Sequence, residues 1–243
     1  MKIPKSHPRY GSLKTRDLIV KGVESGIASI HGLIAHGRGE AFDYLIGEKT
    51  NKFAKKSIDD AAALLMTAYH PVISVNGNAA ALVPHKLVEL SKLLNAPLEI
   101  NIFHPSKQRE LKIKNHLIKY KAKNVLLPDK KYKIKFLESN RKFVNPNGIM
   151  KADIVFVPLE DGDRTEALIK NGKQVITIDL NPLSRTAQKA TITIVDNILR
   201  AMPLLIKTIN QYKKYNKNEL KKIIKNYNNK KVLREAVKQI RKL

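Results

Sequence analysis

Acidic, amide and arginine side chains gather between Asp153 and Asn197, each group following a short apolar run. Glu160, Asp161, Asp163 and Arg164 follow Asp153-Ile-Val-Phe-Val157; Asp179, Asn181, Arg185 and Thr186 follow Gln174-Val-Ile-Thr-Ile178; Asp196 and Asn197 follow Thr191-Ile-Thr-Ile-Val195. Mg²⁺ takes oxygen ligands and commonly one or two carboxylates, so Asp161 and Asp163, with Glu160, are candidates to hold it. The alternative for Asp161 or Asp163 is capping of the next helix. Guanidinium forks match phosphate and carboxylate oxygens, so Arg164 either binds such a group or pairs with the neighbouring acids. A second arginine, Arg38, sits between Gly37 and Gly39, where small neighbours let an anion approach the backbone. Neither a G-x-x-x-x-G-K-[ST] phosphate loop nor a G-x-G-x-x-G string is present. The histidines, among them His31, His36, His70, His85 and His104, show no metal-ligand spacing.

Continuous apolar runs of about five residues ending in Asp, Asn, Gly and Arg read as buried parallel strands with polar loops at their C-terminal ends. In open α/β sheets, ligands bind at that edge. Further strands are expected at Pro71–Val75, Leu98–Phe103 and Asn124–Pro128, and helices at 79–95 (or from near Val83, since Pro84 suits a helix start), 107–121, 165–170 and 198–212. Ser12 and Ser57 are the expected N-caps of helices over 13–23 and 58–69, the latter with Asp59 and Asp60 at its positive end. His36-Gly-Arg-Gly39 reads as a turn interrupting a helix over 30–45. Residues 129–147 carry no legible pattern. The alternation predicts an α/β fold, a mostly parallel sheet flanked by helices, with an N-terminal helical segment. Residues 1–212 form the main domain; 213–243 form a basic, lysine-rich helical tail with Leu220, Ile223, Ile224 and Tyr227 at helical spacing.

The formal charge of +25 invites a nucleic-acid reading, but the excess lies in 107–142 and 207–242. A lysine-faced amphipathic helix is ordinarily a solvated surface. Nucleic acid is therefore the alternative partner, bound by the tail, and not the main expectation. Without cysteine there is no disulfide framework, thiol nucleophile or thiolate metal site. No run approaches the ~20 apolar residues of a membrane span, and Met1–Arg9 lacks a signal peptide's apolar core. A cytoplasmic protein is expected.

Several long strings in order resemble the archaeal phosphopantothenate synthetases, the 4-phosphopantoate–β-alanine ligases. They are Ile3–Tyr10, His31–Tyr44, Val157–Arg164, Asp179–Ala187 and Ile194–Asn197. The similarity spans roughly 3–207, leaving out the tail; residues 103–147 carry no matching motif. The resemblance implies a Rossmann-like homodimer that uses ATP to join 4-phosphopantoate to β-alanine in coenzyme A biosynthesis, releasing AMP and diphosphate.

It also implies residue roles. Arg16 and Arg38 resemble the family's ATP-contacting arginines. Asp179, Leu180 and Asn181 contact the nucleotide at ribose and base edges, Arg185 and Thr186 follow at phosphate or ribose, and Asn197 and Ile198 close the far side. For Asp179–Pro182 the alternative is a polar turn, for Asn197 a helix cap, and for Arg16 a solvated helix position. Asn76 and Asn78 bind phosphopantoate or form a plain β-to-α turn. Arg164 is a further substrate-binding candidate. Catalytic candidates are His36, Arg38, Asp161 and Asp163; His31 or His36 can donate to a developing phosphate charge. Mg²⁺ arrives with ATP. Removal of 213–243 is expected to spare a ligase and to abolish a tail-driven nucleic-acid binder.

Overall fold

The computed structural model describes residues 4–7 and 9–242; of the first resembling string, Ile3 and Pro8 lie outside the described residues. Three helices come first, α1 (Tyr10–Glu24), α2 (Ile30–Leu45) and α3 (Lys52–Thr67). Then follow β1 (Pro71–Val75), α4 (Gly77–Leu82), α5 (Pro84–Leu94), β2 (Leu98–Ile100), α6 (Lys107–Lys119) and β3 (Val125–Leu126). A small antiparallel pair, β4 (Asp129–Lys133) and β5 (Phe143–Val144), precedes β6 (Ile154–Phe156), α7 (Gly162–Lys170), β7 (Gln174–Ile178), α8 (Arg185–Lys189) and β8 (Ile192–Ile194). The chain closes with α9 (Ile198–Tyr212), α10 (Lys217–Ile224) and α11 (Asn229–Ile240).

The main sheet runs β3-β2-β1-β6-β7-β8, all parallel. This is the doubly wound α/β arrangement, and its two halves diverge between β1 and β6. Both faces are covered, which explains the unbroken apolar strands. Ile73, Val75, Ile154, Phe156, Ile176 and Ile178 face the larger core with α3, α5 and α9, while Val72, Val155, Val157 and Val175 face a second core with α7 and the 134–149 segment. The expected α/β class, parallel sheet and flanking helices are present.

Local expectations changed where packing overrode pattern. Helix α1 begins at Tyr10, and Ser12 lies inside it, donating its hydroxyl to Arg9 O at 3.2 Å rather than capping. Helix α2 runs unbroken through His36-Gly-Arg-Gly39, so the expected turn is absent. Each interior glycine costs roughly 1 kcal/mol. The helix is nonetheless held at both ends, with Ser29 capping Gly32 N at 3.1 Å, Asn78 donating to Gly32 O at 2.8 Å and Asn197 donating to Asp43 at 2.8 Å. Helix α3 starts at Lys52, so Ser57 is buried in mid-helix against the Tyr227 hydroxyl, and Asp60 pairs with Lys56 at 3.0 Å instead of sitting at a helix start. The alternative start near Val83 holds: Val83 is the N-cap, and Pro84 opens a helix separate from α4 at the N1 position that suits its missing N–H. Strand β2 stops at Ile100 because Asn101 turns its amide to Arg141 O and Phe143 O, both at 3.1 Å. Helix α7 starts at Gly162, three residues earlier than expected.

The tail forms two helices, not one, and both lie on the body. Leu220, Val232, Leu233 and Ala236 are buried, the last three with Phe53, Ala54, Ala187 and Val195. Asn229 accepts from Thr193 N at 2.9 Å and donates to Ala187 O at 2.8 Å, which covers the outer edge of β8. Among the described residues, no helix is long and apolar enough to cross a membrane.

Candidate functional site

Three adjoining crevices open at the C-terminal edge of the sheet, around the β1/β6 divergence where such folds bind ligands. The first, of about 420 Å³, is walled by α2 (Ala35, His36, Arg38, Gly39, Phe42), the loop after β6 (Leu159 to Gly162) and the loop after β7 (Asp179 to Asn181, Ser184 to Thr186). The second, about 340 Å³, lies on the other side of His36 and Leu180 and reaches Arg9, Glu40, Asp43, Asn197 and Arg200. The third, about 270 Å³, shares Ala35, Asn78, Leu159 and Asp161 with the first and extends to His31, Phe103, His104, Arg109 and Arg141.

The loop after β7 is built around Asp179. Its carboxylate accepts from the Ser184 hydroxyl and from Asn181 N at 2.9 Å, and Ser184 in turn caps α8 through Ala187 N at 2.9 Å. Burial pushes the Asp179 carboxyl up, against the pull of Ser184, Asn181 and the Arg38 charge. Thr186 donates to Glu160 O at 2.7 Å, locking this loop to the one after β6. Arg185 reaches outward to Glu166 at 2.6 Å.

Glu160 is fully buried between Arg141 and Arg164, which take both its oxygens. Burial raises its carboxyl, but the two guanidiniums outweigh that and hold it below the usual range. Asp161 is half exposed and bonded to Arg141 at 2.6 Å; burial and the Glu160 charge push its carboxyl up. Arg141 also donates to Asn101 Oδ1 at 2.9 Å, so one arginine ties the ends of β2 and β6 together. Asn76 uses all its amide atoms, donating to Pro158 O and Leu159 O at 2.9 Å each and accepting from Ala79 N at 3.0 Å. It binds the two loops at the divergence to each other. Asn78 packs so tightly on Gly32 that a Cβ there would stand 2.2 Å from its oxygen.

His36 separates the first two crevices, and burial lowers its pKa below the ordinary value, so it is neutral at neutral pH. At the far rim Arg200 and Asn197 both hold Asp43, and Arg200 also holds Asp196 at 2.7 Å. Asn197 is thus the cap of α9, through Leu199 N at 3.0 Å, as well as a wall of the second crevice.

His36, Arg38, Asn78, Asp161, Asp179, Leu180, Asn181, Arg185 and Thr186 converge on the first crevice, and Asn76 meets Asn78 and Asp161 on the third. Arg16 stays one layer out, paired with Glu40 at 2.9 Å. Ile198, the first residue of α9, has its side chain buried in the core, so only its backbone can face a ligand. Arg164 is wholly buried and takes the role of partner to the acids. Asp163 is exposed on α7 and lines none of these crevices.

No group of three or more His or acidic residues poised for a metal occurs among the described residues. With Glu160 committed to arginines, the donor set fits a Mg²⁺ that travels on phosphates and takes at most one oxygen from Asp161. Sequence reasoning missed Arg109 and Arg141. The available signal was that they are the two arginines in the lysine-dominated stretch 107–142. A rigid fork among point charges marks a place where geometry counts.

A doubly wound α/β protein with contiguous polar crevices at its topological switch point belongs to the ligand-binding Rossmann class. Comparison with known proteins narrows this. Residues 53–243 match the family model for phosphopantothenate/pantothenate synthetase. The 4-phosphopantoate–β-alanine ligase of Thermococcus kodakarensis is 53% identical over 242 residues, 98% of this chain and 92% of the relative. That of Thermococcus onnurineus is 54% identical over 244 residues (99% and 93%), and that of Methanosarcina mazei 49% over 238 (98% and 94%). The chain belongs to the phosphopantothenate/pantothenate synthetase family. The match runs through the tail, past the limit near residue 207 set by recognisable strings, because amphipathic spacing carries no distinctive string.

Proposed function

We propose that this protein ligates 4-phosphopantoate to β-alanine at the expense of ATP, giving 4'-phosphopantothenate, AMP and diphosphate in coenzyme A biosynthesis. The observation that carries the reading is the pair of crevices sharing the Asn78–Asp161 wall. One suits a nucleotide and the other a small acid, with their reacting ends adjacent. MgATP spans the first and second crevices, passing His36 and Leu180, which line both. Asp179 takes the ribose hydroxyls, Asn181 base or ribose edges, Arg185 and Thr186 phosphate or ribose, and Asn197 with the Ile198 backbone closes the far side. Arg38, and Arg16 behind it, oppose the phosphate charge. Mg²⁺ supplies charge neutralisation on the phosphates.

The acid carboxylate attacks the α-phosphorus and expels diphosphate, giving an acyl adenylate. The β-alanine ammonium then loses its proton to Asp161, whose raised basicity suits it as acceptor, and the free amine displaces AMP from the carbonyl. His36, neutral, donates to an α-phosphate oxygen as charge builds. No covalent enzyme intermediate is needed, so the acceleration comes from positioning and fixed dipoles. The exposed apolar residues Ile30 and Ile34 (66% and 69% exposed) on α2 support a homodimer as the working form, in the cytoplasm.

Incubation with MgATP, 4-phosphopantoate and β-alanine tests the reading. AMP formed only with both substrates supports it; ADP would replace the adenylate with an acyl phosphate; no product would refute ligation.

A further inference from the structure

We propose that Glu166 is the resting partner of Arg185 and that an arriving nucleotide takes the guanidinium from it, so that Glu166 sets nucleotide affinity through Arg185. This rests on the reading of the first crevice as part of the nucleotide site. Arg185 opens α8 and lines that crevice, yet its head is turned away from it: Nε and one terminal nitrogen donate to one Glu166 oxygen at 3.2 and 2.6 Å. Glu166 stands one turn along α7 from Gly162, on the same face, and Gly162 is a wall of the crevice. The arginine stem crosses α7 where there is no side chain. A Cβ at Gly162 would lie 2.5, 2.6 and 3.0 Å from Cβ, Cγ and Cδ of Arg185. Bare backbone therefore gives the stem a bed at the crevice, with Glu166 at its outer end.

Arg141 and Arg164 are buried with their acids and cannot leave them without stranding a charge. Arg185 differs. Its side chain is 61% exposed, so its bond to Glu166 is a screened surface pair that breaks easily. Nor is Glu166 abandoned when the guanidinium departs. Lys170 on the same helix and Lys189 at the end of α8 reach its other oxygen at 3.1 and 3.7 Å. The bonds from Arg185 and Lys170, with the Lys189 charge behind them, hold the Glu166 carboxyl down to about 2, so it stays ionised at any working pH. Protonation therefore does not free Arg185; a competing anion does. A polyphosphate carries more charge than a carboxylate shared among three cations, and its oxygens match the guanidinium fork. The exchange needs side-chain torsions only, because Ser184 caps α8 through Ala187 N at 2.9 Å and Thr186 is fixed to Glu160 O at 2.7 Å. Arg185 thus has two seats, Glu166 in the empty site and phosphate in the filled one.

The test is calorimetric titration with MgATP alone, on wild type, Glu166→Gln, Arg185→Met and the double variant, alongside thermal melts. Freeing Arg185 from an exposed pair predicts MgATP binding about two- to fivefold tighter in Glu166→Gln. Arg185→Met should weaken binding roughly ten- to a hundredfold. In the double variant the gain from Glu166→Gln should vanish, which shows that Glu166 acts through Arg185. A merely structural Glu166 gives binding that is unchanged or weaker in Glu166→Gln, and that result overturns the inference. So does equal tightening with and without Arg185, the mark of a carboxylate acting only through overall charge. Glu166→Asp keeps the charge but shortens the reach; it should tighten binding in the same direction, and it keeps the test open if Glu166→Gln does not fold. Wild type that binds no MgATP sinks the nucleotide reading and the inference with it. Wild type that binds MgATP without coupling between the two positions sinks the inference alone.

Discussion

Truncation after Tyr212 is expected to unfold the protein, not to release an active core. Three large side chains of the tail, Leu220, Val232 and Leu233, are at most 7% exposed. Burying each contributes roughly 1.5–3 kcal/mol, so their loss alone removes roughly 5–9 kcal/mol, an upper range because the unfolded chain already hides some of that surface. Whole domains are stable by only about 5–15 kcal/mol. Truncation also uncovers Phe53 and Val195 and strips the edge of β8 of its Asn229 and Tyr227 partners. Point variants grade the effect. Leu233→Ala should cost about 2–4 kcal/mol, and Asn229→Ala about 1–2 kcal/mol, because the Thr193 N–H is left with only the longer bond to Tyr227, Ala187 O keeps only Thr193, and Ala190 O loses the Asn229 amide. At roughly 2–4 °C per kcal/mol for a chain of this size, each lowers the melting midpoint by several degrees. Circular dichroism melts with AMP release at matched protein concentration provide the assay. If residues 1–212 melt within a few degrees of the full chain and turn over normally, the packing argument fails and the tail is the dispensable appendage its composition suggested.

On the proposed reading, Arg38→Ala removes an exposed cation from the first crevice and should cut kcat/KM for ATP roughly ten- to a hundredfold with little change in melting, checked by steady-state kinetics. Glu160→Gln leaves Arg141 and Arg164 without their shared counter-charge and should cost roughly 3–5 kcal/mol, read as a large drop in melting midpoint. Glu99 accepts from Asn145 N and Ile149 N at 3.0 and 2.6 Å, and burial pushes its carboxyl up to about 7. The folded protein then holds this proton more tightly than the unfolded chain. The group's contribution to stability therefore falls by about 3 kcal/mol as pH rises from about 4.5 to 7, and is flat above. The stability of Glu99→Gln relative to wild type should rise over that window; chemical denaturation at stepped pH that shows a constant difference would refute it.

The parallel strands were legible because burial on both faces leaves an unbroken apolar run, as at Pro71–Val75 and Gln174–Ile178, whose bounds match the structure. Most polar residues of the first crevice were legible for the same reason, since Asp179 to Thr186 follow such a strand directly. Helix starts failed where a serine looked like a cap but served another partner: Ser57 meets Tyr227, 170 positions away, and no local pattern encodes that. The glycines of α2 looked like a turn, yet anchors from Asn78, Asn197 and Arg200 hold the helix straight through them. Residues 129–147 were opaque because β4 is largely exposed and lysine-rich, so it lacks the alternation of a half-buried strand. Arg141 belongs to that segment, and its partners Asn101 and Glu160 lie 40 and 19 positions away.

The Ser57–Tyr227 contact also bears on how the protein is made. At ~5–20 residues per second on the ribosome, the separation of 170 positions takes roughly 10–30 s to synthesise. By the end of that interval the central strands have been translated with their neighbours, while the Phe53–Ala54 surface of α3 still lacks Val232, Leu233 and Ala236. Helices α10 and α11 therefore complete a surface laid down some 170 positions earlier, and a ribosome stalled before Val232 holds a nearly finished sheet with an open outer strand. Such a chain exposes the Phe53–Ala54 surface and the outer edge of β8 together, the two places where a holdase chaperone would bind it.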